Sequence, residues 1–335
     1  MSLLLEQLIS GKNLSQQQAE EFFGKVVQGD IEPALLASVL TALKIKGETP
    51  SEIAGAAVAI RAAAKPFPKM PYPLVDCVGT GGDGHSTINI STTAAIVAAA
   101  CGLKVAKHGN RSVSSKSGSA DLLEAFGINL MMTPETAKKS IEQSGACFLF
   151  APNYHSGFKH AGPVRAAMGV RTLFNILGPL VNPAAPRVML LGVYTPELLM
   201  PMAKALQLTG VERAWVVHGS GLDEVAIHGP TQIIEINGAT LTEKVVEPSD
   251  FGLTNHSLES IKGGLPQQNA EYSMAILAGK GEQAHIDAVT INTAALLYLT
   301  GQASNLSSAA NIVQQVLKSG KAASTLNAMV EVSNG

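Results

Sequence analysis

The sequence has no excess of charge of either sign and few aromatic residues. Its 335 residues include 24 Lys and Arg against 26 Asp and Glu, a formal net charge of -2, and only 4% are aromatic. This balance offers no global basic surface, which argues against nucleic acid or an anionic membrane as a partner. Hydrophobic residues still make up 46% of the chain, which excludes a disordered protein and suits one large or two unequal domains.

Cysteines and long apolar runs are also scarce. Cys77, Cys101 and Cys147 are odd in number and form no C-x-x-C pair, which favours buried, reduced thiols. The most apolar window, residues 92–106, is too short to span a bilayer. The N-terminus lacks the basic and long apolar regions of a signal peptide, so we expect a cytoplasmic protein.

Two patterns of periodicity divide the chain. Residues 1–65 carry apolar residues at helical spacing, with helix caps predicted at Ser15, paired with Gln18, and at Thr49 before Pro50. The proline-rich segment KPFPKMPYP then indicates a linker. We therefore expect a small all-helical domain over residues 1–70 and a large α/β domain over residues 71–335.

The pattern after the linker alternates short β-type runs with helices. We predict strands at LVDCV, LKVA, CFLF, RVMLLGV and AWVVHG, an alternation typical of a mostly parallel central sheet flanked by helices. The segment TQIIEINGATLTEKVV instead predicts a hairpin with an Asn237-Gly238 turn, which makes part of the sheet antiparallel. From about residue 268 the chain is again predicted to be helical.

A glycine-rich loop, GTGGDGHSTINIS, follows the first predicted strand but matches no standard nucleotide motif in full. A Rossmann loop needs an acid about 20 residues further on, where this sequence has Lys104 and Lys107. A P-loop needs a lysine at the position of His85. Glycines leave the backbone amides of the loop open to a close anionic group, and the next helix is predicted to start with Ser91 as its N-cap. Because a helix N-terminus also attracts anions, the loop still indicates a phosphate site, but of another kind.

A second polar loop, KHGNRSVSSKSGSADLLEAFG, follows the next predicted strand and also leads into a helix. Two such loops on consecutive βα units indicate a ligand with two separated phosphate groups. The alternative is that both loops are ordinary Gly- and Ser-rich turns. The candidate ligand-binding side chains are Asp83, Asn89, Ser91 and Thr92 in the first loop and Lys107, Ser117 and Ser119 in the second.

A third polar cluster, Asp223 and Glu224, comes just after the strand predicted at AWVVHG. Ligands of α/β sheets bind at the carboxyl ends of the strands. Two carboxylates in a loop can hold a hard cation such as phosphate-bound Mg²⁺. A solvated acidic turn is the alternative interpretation of this pair.

Four segments together resemble the signatures of the anthranilate phosphoribosyltransferase family. They are DCVGTGGDGHSTINIST, KHGNRSVSSKSGSADLLEAFG, FLFAPNYHSGFKHAGPVRAAMGVRTLFNILGPLVNP and HGSGLDE, and the resemblance covers essentially the whole chain. It implies an enzyme of tryptophan biosynthesis that joins anthranilate to 5-phosphoribosyl 1-diphosphate, giving N-(5-phosphoribosyl)anthranilate and diphosphate. It also implies Mg²⁺ as cofactor, with two ions per active site, and a homodimer formed by the helical domains. Helices from about 160–182 are expected to join the helical domain.

The resemblance further implies roles for individual residues, with the diphosphate on the glycine loop and the 5-phosphate on the side of the second loop. The residues implied for the sugar diphosphate are Gly79, Gly82, Asp83, Thr87, Asn89, Ser91, Thr92, Lys107 and Ser119. Those implied for anthranilate are Gly79, His108, Asn110, Pro152, His155, Arg165 and Gly178. Those implied for magnesium are Ser91, Asp223 and Glu224. Lys159, His160 and Arg171 are interpreted as ordinary polar loop residues.

The implied chemistry explains the choice of residue types. Arginine is the natural partner of the planar carboxylate of anthranilate. An aromatic amine is already neutral at pH 7, so we assign no residue as a catalytic general acid or base. Two other functions stay open, a pyrimidine nucleoside phosphorylase-like enzyme that uses inorganic phosphate and a non-catalytic relative that binds nucleic acid. An anthranilate synthase subunit as a further partner also stays open.

Overall fold

The computed structural model describes residues 2–112 and 116–335. It begins with four helices, α1 (Ser2–Ile9), α2 (Gln16–Gln28), α3 (Pro33–Lys46) and α4 (Pro50–Ala62). Both predicted caps are confirmed, because Ser15 and Thr49 each accept a hydrogen bond from the amide three residues on, within a reciprocal capping box. These caps fix the starts of α2 and α4, which pack against each other.

The rest of the chain alternates strands and helices, and all five predicted parallel strands are present. The first part contains β1 (Val75–Gly79), α5 (Ile90–Ala100), β2 (Val105–Gly109), α6 (Ser119–Ala125), α7 (Pro134–Ser144), β3 (Ala146–Phe150), α8 (Ala151–Tyr154), α9 (Phe158–Met168) and α10 (Phe174–Leu177). The second part contains β4 (Val188–Gly192), α11 (Leu199–Leu208), β5 (Arg213–Gly219), β6 (Thr231–Asn237), β7 (Thr240–Val246), α12 (Pro266–Leu277), α13 (Gln283–Leu299), α14 (Leu306–Lys318) and α15 (Lys321–Asn334).

The strands form one seven-stranded sheet in the order β3-β2-β1-β4-β5-β6-β7. The first five strands in this order are parallel, and β6 and β7 pair antiparallel with their neighbours. The predicted fold class, a helical part and a mostly parallel α/β sheet, is confirmed. Because β2 lies on one side of β1 and β4 on the other, the strand order reverses beside β1. Such a switch point opens a crevice outside the carboxyl ends of the strands.

The hairpin between β6 and β7 differs from its prediction by one residue. Asn237 pairs with Thr240, so the two-residue loop is Gly238 and Ala239 instead of Asn237-Gly238. Gly238 has φ +58°, and Ala239 is not among the residues with positive φ. A glycine in the first central position is the pattern of a type II′ turn.

Helices cover both faces of the sheet. On one face α5 packs on β1 and α13 packs on β4, with α14 and α15 outside them. On the other face α11 packs on β5 and β6 and also against α4, so the N-terminal helices share an apolar core with the sheet. Helix α9 contacts α2 and α3. Within the described ranges, 2–112 and 116–335, no helix is long and apolar enough to cross a membrane.

Candidate active site

The polar loops predicted from the sequence meet at the carboxyl edge of β1, β4 and β5, at the switch point. Each of these strands ends in a glycine, Gly79, Gly192 and Gly219. A Cβ atom on Gly79 or Gly192 would collide with Asp223, and one on Gly219 would collide with the carbonyl of Glu224. The three glycines therefore leave a trough along the sheet edge, and the acidic loop after β5 lies in it.

The acidic pair joins the loop after β5 to the loop after β1. A carboxylate oxygen of Asp223 accepts a hydrogen bond from the Gly81 amide at 2.6 Å. A carboxylate oxygen of Glu224 accepts one from the Ser91 amide at 3.1 Å and one from the Ser91 hydroxyl at 2.5 Å. The two acids are half-buried and bonded, which does not fit the alternative of a solvated acidic turn.

Helix α13 holds the acidic loop in place through one side chain. The amide group of Asn292 accepts from the Val225 N–H at 2.9 Å and donates to the Val225 carbonyl at 3.0 Å. Val225 follows Glu224 directly, so this fully buried asparagine fixes the backbone next to the acids. Sequence reasoning missed it because its partner lies 67 residues away and a helical asparagine carries no local signal.

The electrostatics of the acidic pair favour a bound cation. Burial raises the pKa of Asp223, and repulsion from the Asp83 carboxylate raises it further. Burial and then repulsion from Asp223 raise the pKa of Glu224. Since like charges crowd one another here, a positive ion would relieve the repulsion. Together with the Ser91 hydroxyl, the donors are all oxygen atoms, which suits a hard divalent cation.

The protein supplies only part of a metal coordination shell at this point. Among the residues that the structure describes, no group of three or more His, Cys, Asp or Glu side chains could hold a metal ion. An ion held by Asp223, Glu224 and Ser91 therefore needs further oxygen ligands from water or from a bound phosphate. Mg²⁺ is the cation that retains waters and shares substrate phosphates in this way.

The glycine loop has the backbone geometry of an anion site. Gly81, Gly82 and Gly84 have φ of +69°, +84° and +84°, a region that glycine enters without steric cost. Thr87, at the far end of the loop, pairs with Lys262 in an antiparallel bridge, and the Gly263 amide donates to the Ser86 carbonyl. The far end of the loop is thus anchored through Ser86 and Thr87, and its start is anchored by the hydrogen bond from the Gly81 amide to Asp223.

The predicted start of the helix after this loop is wrong by two residues. Asn89 occupies the N-cap of α5 and makes no side-chain capping bond, and Ser91 lies within the first turn. The side chain of Asn89 instead bonds across the site. It donates to the Ser117 carbonyl at 3.0 Å and accepts from the Ser117 hydroxyl at 3.1 Å and from Asn269 at 2.8 Å. Tertiary contacts therefore override the local capping preference, and Ser91 is released to bond Glu224.

The second polar loop follows β2, beside the first. Lys107 is buried and donates to the Cys77 carbonyl at 2.6 Å. The Ser119 hydroxyl, at the start of α6, donates to the Asn110 carbonyl at 3.2 Å. Thr92 is buried in the first turn of α5. Residues 113–115 of the predicted loop lie outside the described residues.

A row of rings connects the residues predicted for the aromatic substrate. The rings of His108 and His155 meet edge to face with centroids 5.2 Å apart, His155 meets Phe158 at 5.6 Å, and Phe158 meets Phe174 at 5.8 Å. The guanidinium of Arg165 on α9 lies 5.3 Å from the Phe174 centroid. In the described part of the chain no carboxylate forms an ion pair with Arg165. A half-buried cation thus stands unpaired at one end of the row.

The two histidines of this row are buried and neutral. Burial, and then repulsion from His155, lowers the pKa of His108 to about 3. Burial also lowers the pKa of His155 to about 4. The backbone groups of Val181 and Ile60 act in the opposite direction and raise this pKa by a smaller amount. Nδ1 of His108 contacts the Gly178 carbonyl at 3.2 Å. Among the residues that the structure describes, no group forms a hydrogen bond with the other three ring nitrogens of the pair, which are buried.

The remaining residues predicted for this side lie around the histidines. Pro152 is in the first turn of α8, which leads into His155. Asn110 follows β2 and accepts a hydrogen bond from the Arg111 amide at 2.7 Å through its side chain. Within the described residues the hydroxyls of Tyr154 and Thr172 are buried without a hydrogen-bond partner, and the sequence analysis gave neither a role.

The fold and the site define a glycosyl transferase. Residues 71–323 match the family model described as "Glycosyl transferase family, a/b domain", and residues 2–64 match "Glycosyl transferase family, helical bundle domain". Over 336 aligned residues, 100% of this chain and 92% of the relative, the chain is 66% identical to the anthranilate phosphoribosyltransferase of Colwellia psychrerythraea. It is 56% identical to that of Pseudoalteromonas translucida, over 99% of this chain and 93% of the relative. The chain belongs to the anthranilate phosphoribosyltransferase family.

Solved structures of other anthranilate phosphoribosyltransferases superpose closely on this chain. The structure from Thermus thermophilus has a TM-score of 0.94 and 42% identity and covers 99% of both chains. The structure from Saccharomyces cerevisiae in complex with PRPP and Mg has a TM-score of 0.90 and 30% identity, covering 98% of this chain and 96% of the yeast chain. A yeast structure in complex with 4-fluoroanthranilate has a TM-score of 0.89 and 30% identity, with the same coverage of both chains.

Proposed function

We propose that this chain transfers the 5-phosphoribosyl group from 5-phosphoribosyl 1-diphosphate to the amine of anthranilate. The products are N-(5-phosphoribosyl)anthranilate and diphosphate, and the reaction belongs to tryptophan biosynthesis. One observation carries the proposal. A glycine loop and an acidic pair meet at the switch point of the sheet, beside a row of neutral rings that ends in the unpaired cation Arg165.

The sugar diphosphate is bound along the carboxyl edge of the sheet. The diphosphate lies against the amides of the glycine loop, near Gly79, Gly82 and Asp83, and against the start of α5. The 5-phosphate lies towards the second loop, near Lys107 and Ser119. The full set of proposed residues is Gly79, Gly82, Asp83, Thr87, Asn89, Ser91, Thr92, Lys107 and Ser119. Several of these act through the backbone, since the Asn89 side chain is already bonded within the protein.

Ser91, Asp223 and Glu224 hold Mg²⁺, and we propose two ions per active site. The fit rests on the crowded carboxylates with raised pKa and on the all-oxygen donor set. The yeast relative was solved with PRPP and Mg. When bound, Mg²⁺ acts as a Lewis acid that stabilises negative charge on the diphosphate leaving group.

Anthranilate lies between the histidines and α9, near Gly79, Asn110, Pro152 and Gly178. Arg165 pairs with its carboxylate, because a guanidinium matches that planar anion with two parallel hydrogen bonds. The Nδ1–H tautomer of His108 is assigned from its contact with Gly178. Nε2 of His108 is then an unpaired acceptor, which suits an N–H of the anthranilate amine.

The residues of the chain accelerate the reaction by orientation and electrostatics. The neutral amine brings its own lone pair, so we assign no general base, and both histidines are too weakly basic to hold a proton near pH 7. Donors of the glycine loop are fixed before the reaction and stabilise the charge that develops on the leaving group. Holding the amine next to the sugar carbon removes the entropic cost of their meeting.

We also propose a division into a helical domain over residues 1–70, joined by the helices near 160–182, and an α/β domain over residues 71–335. The helical domain forms a homodimer. Leu3, Ile9 and Ile45 support this interface, because their side chains are 78%, 72% and 82% exposed in the single chain. Large apolar side chains that stand exposed on α1 and α3 are the kind of surface that a second copy covers.

One assay tests the proposed reaction. The protein is mixed with 5-phosphoribosyl 1-diphosphate, Mg²⁺ and anthranilate, and the fluorescence of anthranilate is followed. We expect fluorescence to fall only when all three components are present, and chelation of Mg²⁺ should stop the reaction. Consumption of a pyrimidine nucleoside with inorganic phosphate, and none of anthranilate, would instead support the phosphorylase alternative.

A further inference from the structure

Arg171, which the sequence analysis left without a role, contacts the glycine loop directly. It lies two residues beyond Gly169, the residue that ends α9, in the segment before α10. Its guanidinium donates a hydrogen bond to the Gly82 carbonyl at 2.6 Å. Gly82 packs so closely on this group that a Cβ atom there would lie 3.0 Å from the guanidinium nitrogen.

A second contact fixes the plane of the Arg171 guanidinium. The group stacks on the ring of Tyr194, 4.3 Å from its centroid, within the range of a cation–π interaction. The Tyr194 amide in turn donates to the Thr80 hydroxyl at 3.2 Å, and the Thr80 amide donates to the Gly192 carbonyl at 2.9 Å. The contacts form a closed circuit around the first part of the glycine run, from Thr80 to Gly82.

This circuit restricts the backbone conformation of a segment that its glycines would otherwise leave free. A chain with three glycines at positive φ has many alternative conformations of similar energy. An anion site of backbone amides works only if those amides are held in one arrangement before the ligand arrives. Arginine suits this task better than lysine because its planar group can stack on a ring while it donates a hydrogen bond at its edge.

We propose that Arg171, together with Tyr194, is a positioning residue that holds the glycine loop in the shape that binds the diphosphate. The inference rests on the proposed function for its kinetic consequence. It predicts a selective effect, since the contacts of Arg171 end at the glycine loop and the ring row of the anthranilate side has its own cation in Arg165.

The kinetic test compares Arg171→Gln, Arg171→Lys, Tyr194→Leu and Tyr194→Phe, with Arg187→Gln as a matched control. Arg187 is an exposed arginine paired with Glu212 at the opposite end of β4. We expect Arg171→Gln to raise the KM for the sugar diphosphate about tenfold. This factor corresponds to the free energy of one charge-assisted hydrogen bond together with the stacking of the guanidinium on a ring. The KM for anthranilate should change less than about twofold, because substitutions at separated sites act nearly independently of one another.

The other variants separate positioning from direct charge. Arg171→Lys keeps the charge but loses the planar group, so we expect it to rescue little of the sugar-diphosphate KM. Tyr194→Leu should shift the same constant in the same direction, by a smaller factor, and Tyr194→Phe should shift it less than Tyr194→Leu. Full rescue by lysine with no effect of Tyr194→Leu would overturn the proposal, because Arg171 would then act only as a charge on the substrate.

A measurement without substrates keeps the inference separate from the proposed reaction. Hydrogen–deuterium exchange of the peptide covering residues 79–84 should be faster in Arg171→Gln than in the unmodified chain and in Arg187→Gln. Equal exchange in all three proteins would overturn the inference even if the enzyme is active. If the unmodified chain shows no turnover of anthranilate, the proposed function fails, and faster exchange in Arg171→Gln would still support the role of Arg171 in shaping the loop.

Discussion

The two halves of the crevice have opposite physical properties. The glycine-loop side is half-exposed, rich in backbone amides and carboxylates, and held together by hydrogen bonds between loops that are distant in sequence. The ring-row side is largely buried, and the nitrogens of its two histidines are neutral and, within the part of the chain that the structure describes, mostly without hydrogen-bond partners. A highly charged, hydrated ligand suits the first side, and a flat aromatic ligand with one carboxylate suits the second. Substitutions on the two sides should therefore affect different kinetic and thermodynamic quantities.

The largest effect is expected from neutralising the acidic pair. Asp223→Asn with Glu224→Gln keeps the size of both side chains and removes their charges. Turnover should fall on the order of 100-fold or more, the scale of losing a preorganised electrostatic partner, and the Mg²⁺ concentration for half-maximal rate should rise. Stability should stay the same or increase slightly, because the carboxylates crowd one another. Steady-state rates across a Mg²⁺ titration measure this.

The matched control for the acidic pair is Glu20→Gln with Glu21→Gln, two adjacent exposed acids on α2. This control should leave both turnover and Mg²⁺ dependence unchanged. If the Asp223 and Glu224 variant behaves like the control, the pair is only an acidic turn and the metal assignment fails. The contrast between a cation-binding glycine-loop side and a ring-row side without a metal would then no longer hold.

The buried histidines should make the protein less stable in acid. The folded pKa values of His108 and His155, about 3 and about 4, lie below the ordinary value of about 6.5. In the unfolded chain these two histidines therefore bind more protons between those pH values, so their contribution to the free energy of unfolding falls as pH decreases below about 6.5. Each histidine should cost on the order of 2 kcal/mol between pH 6.5 and 5.

Urea unfolding at several pH values between 7.5 and 5 measures this dependence. His155→Phe keeps an aromatic ring in the row but cannot ionise, so it should remove about half of the pH dependence on this account. An unchanged pH dependence in His155→Phe would show that the ring-row side is not where protons are taken up on unfolding. The same variant leaves the glycine loop untouched.

A smaller and more selective effect is expected from Arg165→Ala. The loss of a charge-assisted hydrogen bond costs about 1.5–3 kcal/mol, or on the order of tenfold to a hundredfold in affinity. The KM for anthranilate should rise by that factor while the KM for the sugar diphosphate stays nearly constant. Steady-state kinetics with each substrate varied in turn, and Arg187→Ala as control, check this. Equal weakening of both substrates would mean that Arg165 supports the packing of α9 on Phe174 and not the carboxylate.

The parts of the site that could be predicted from the sequence are those with local signals. Glycine runs, strand ends and adjacent acids identified the loops around Gly79, Lys107 and Asp223, and the sheet topology brings them to one edge. The start of α5 and the turn of the last hairpin were each placed slightly wrongly, since local capping and turn preferences are weak compared with tertiary bonding.

The supporting residues could not be predicted, because their partners are far away along the chain. Asn269 bonds Asn89 across 180 residues, and Arg171 bonds Gly82 across 89. A single buried asparagine or exposed arginine has no local pattern that distinguishes it from an ordinary core or surface residue. Only the packing of the helices on the sheet shows which side chain meets which loop.

The strand-end glycines Gly79, Gly192 and Gly219 limit which positions of this enzyme can be changed in a redesign. Because a single added carbon at each of them would strike the acidic loop, the lack of a side chain at these positions sets the distance from the sheet to that loop. We therefore expect that substrate preference can be altered by substitutions on the helical side of the crevice, but not by substitutions at the strand-end glycines. A library that varies these three positions would return mostly proteins whose acidic loop has been pushed out of its trough.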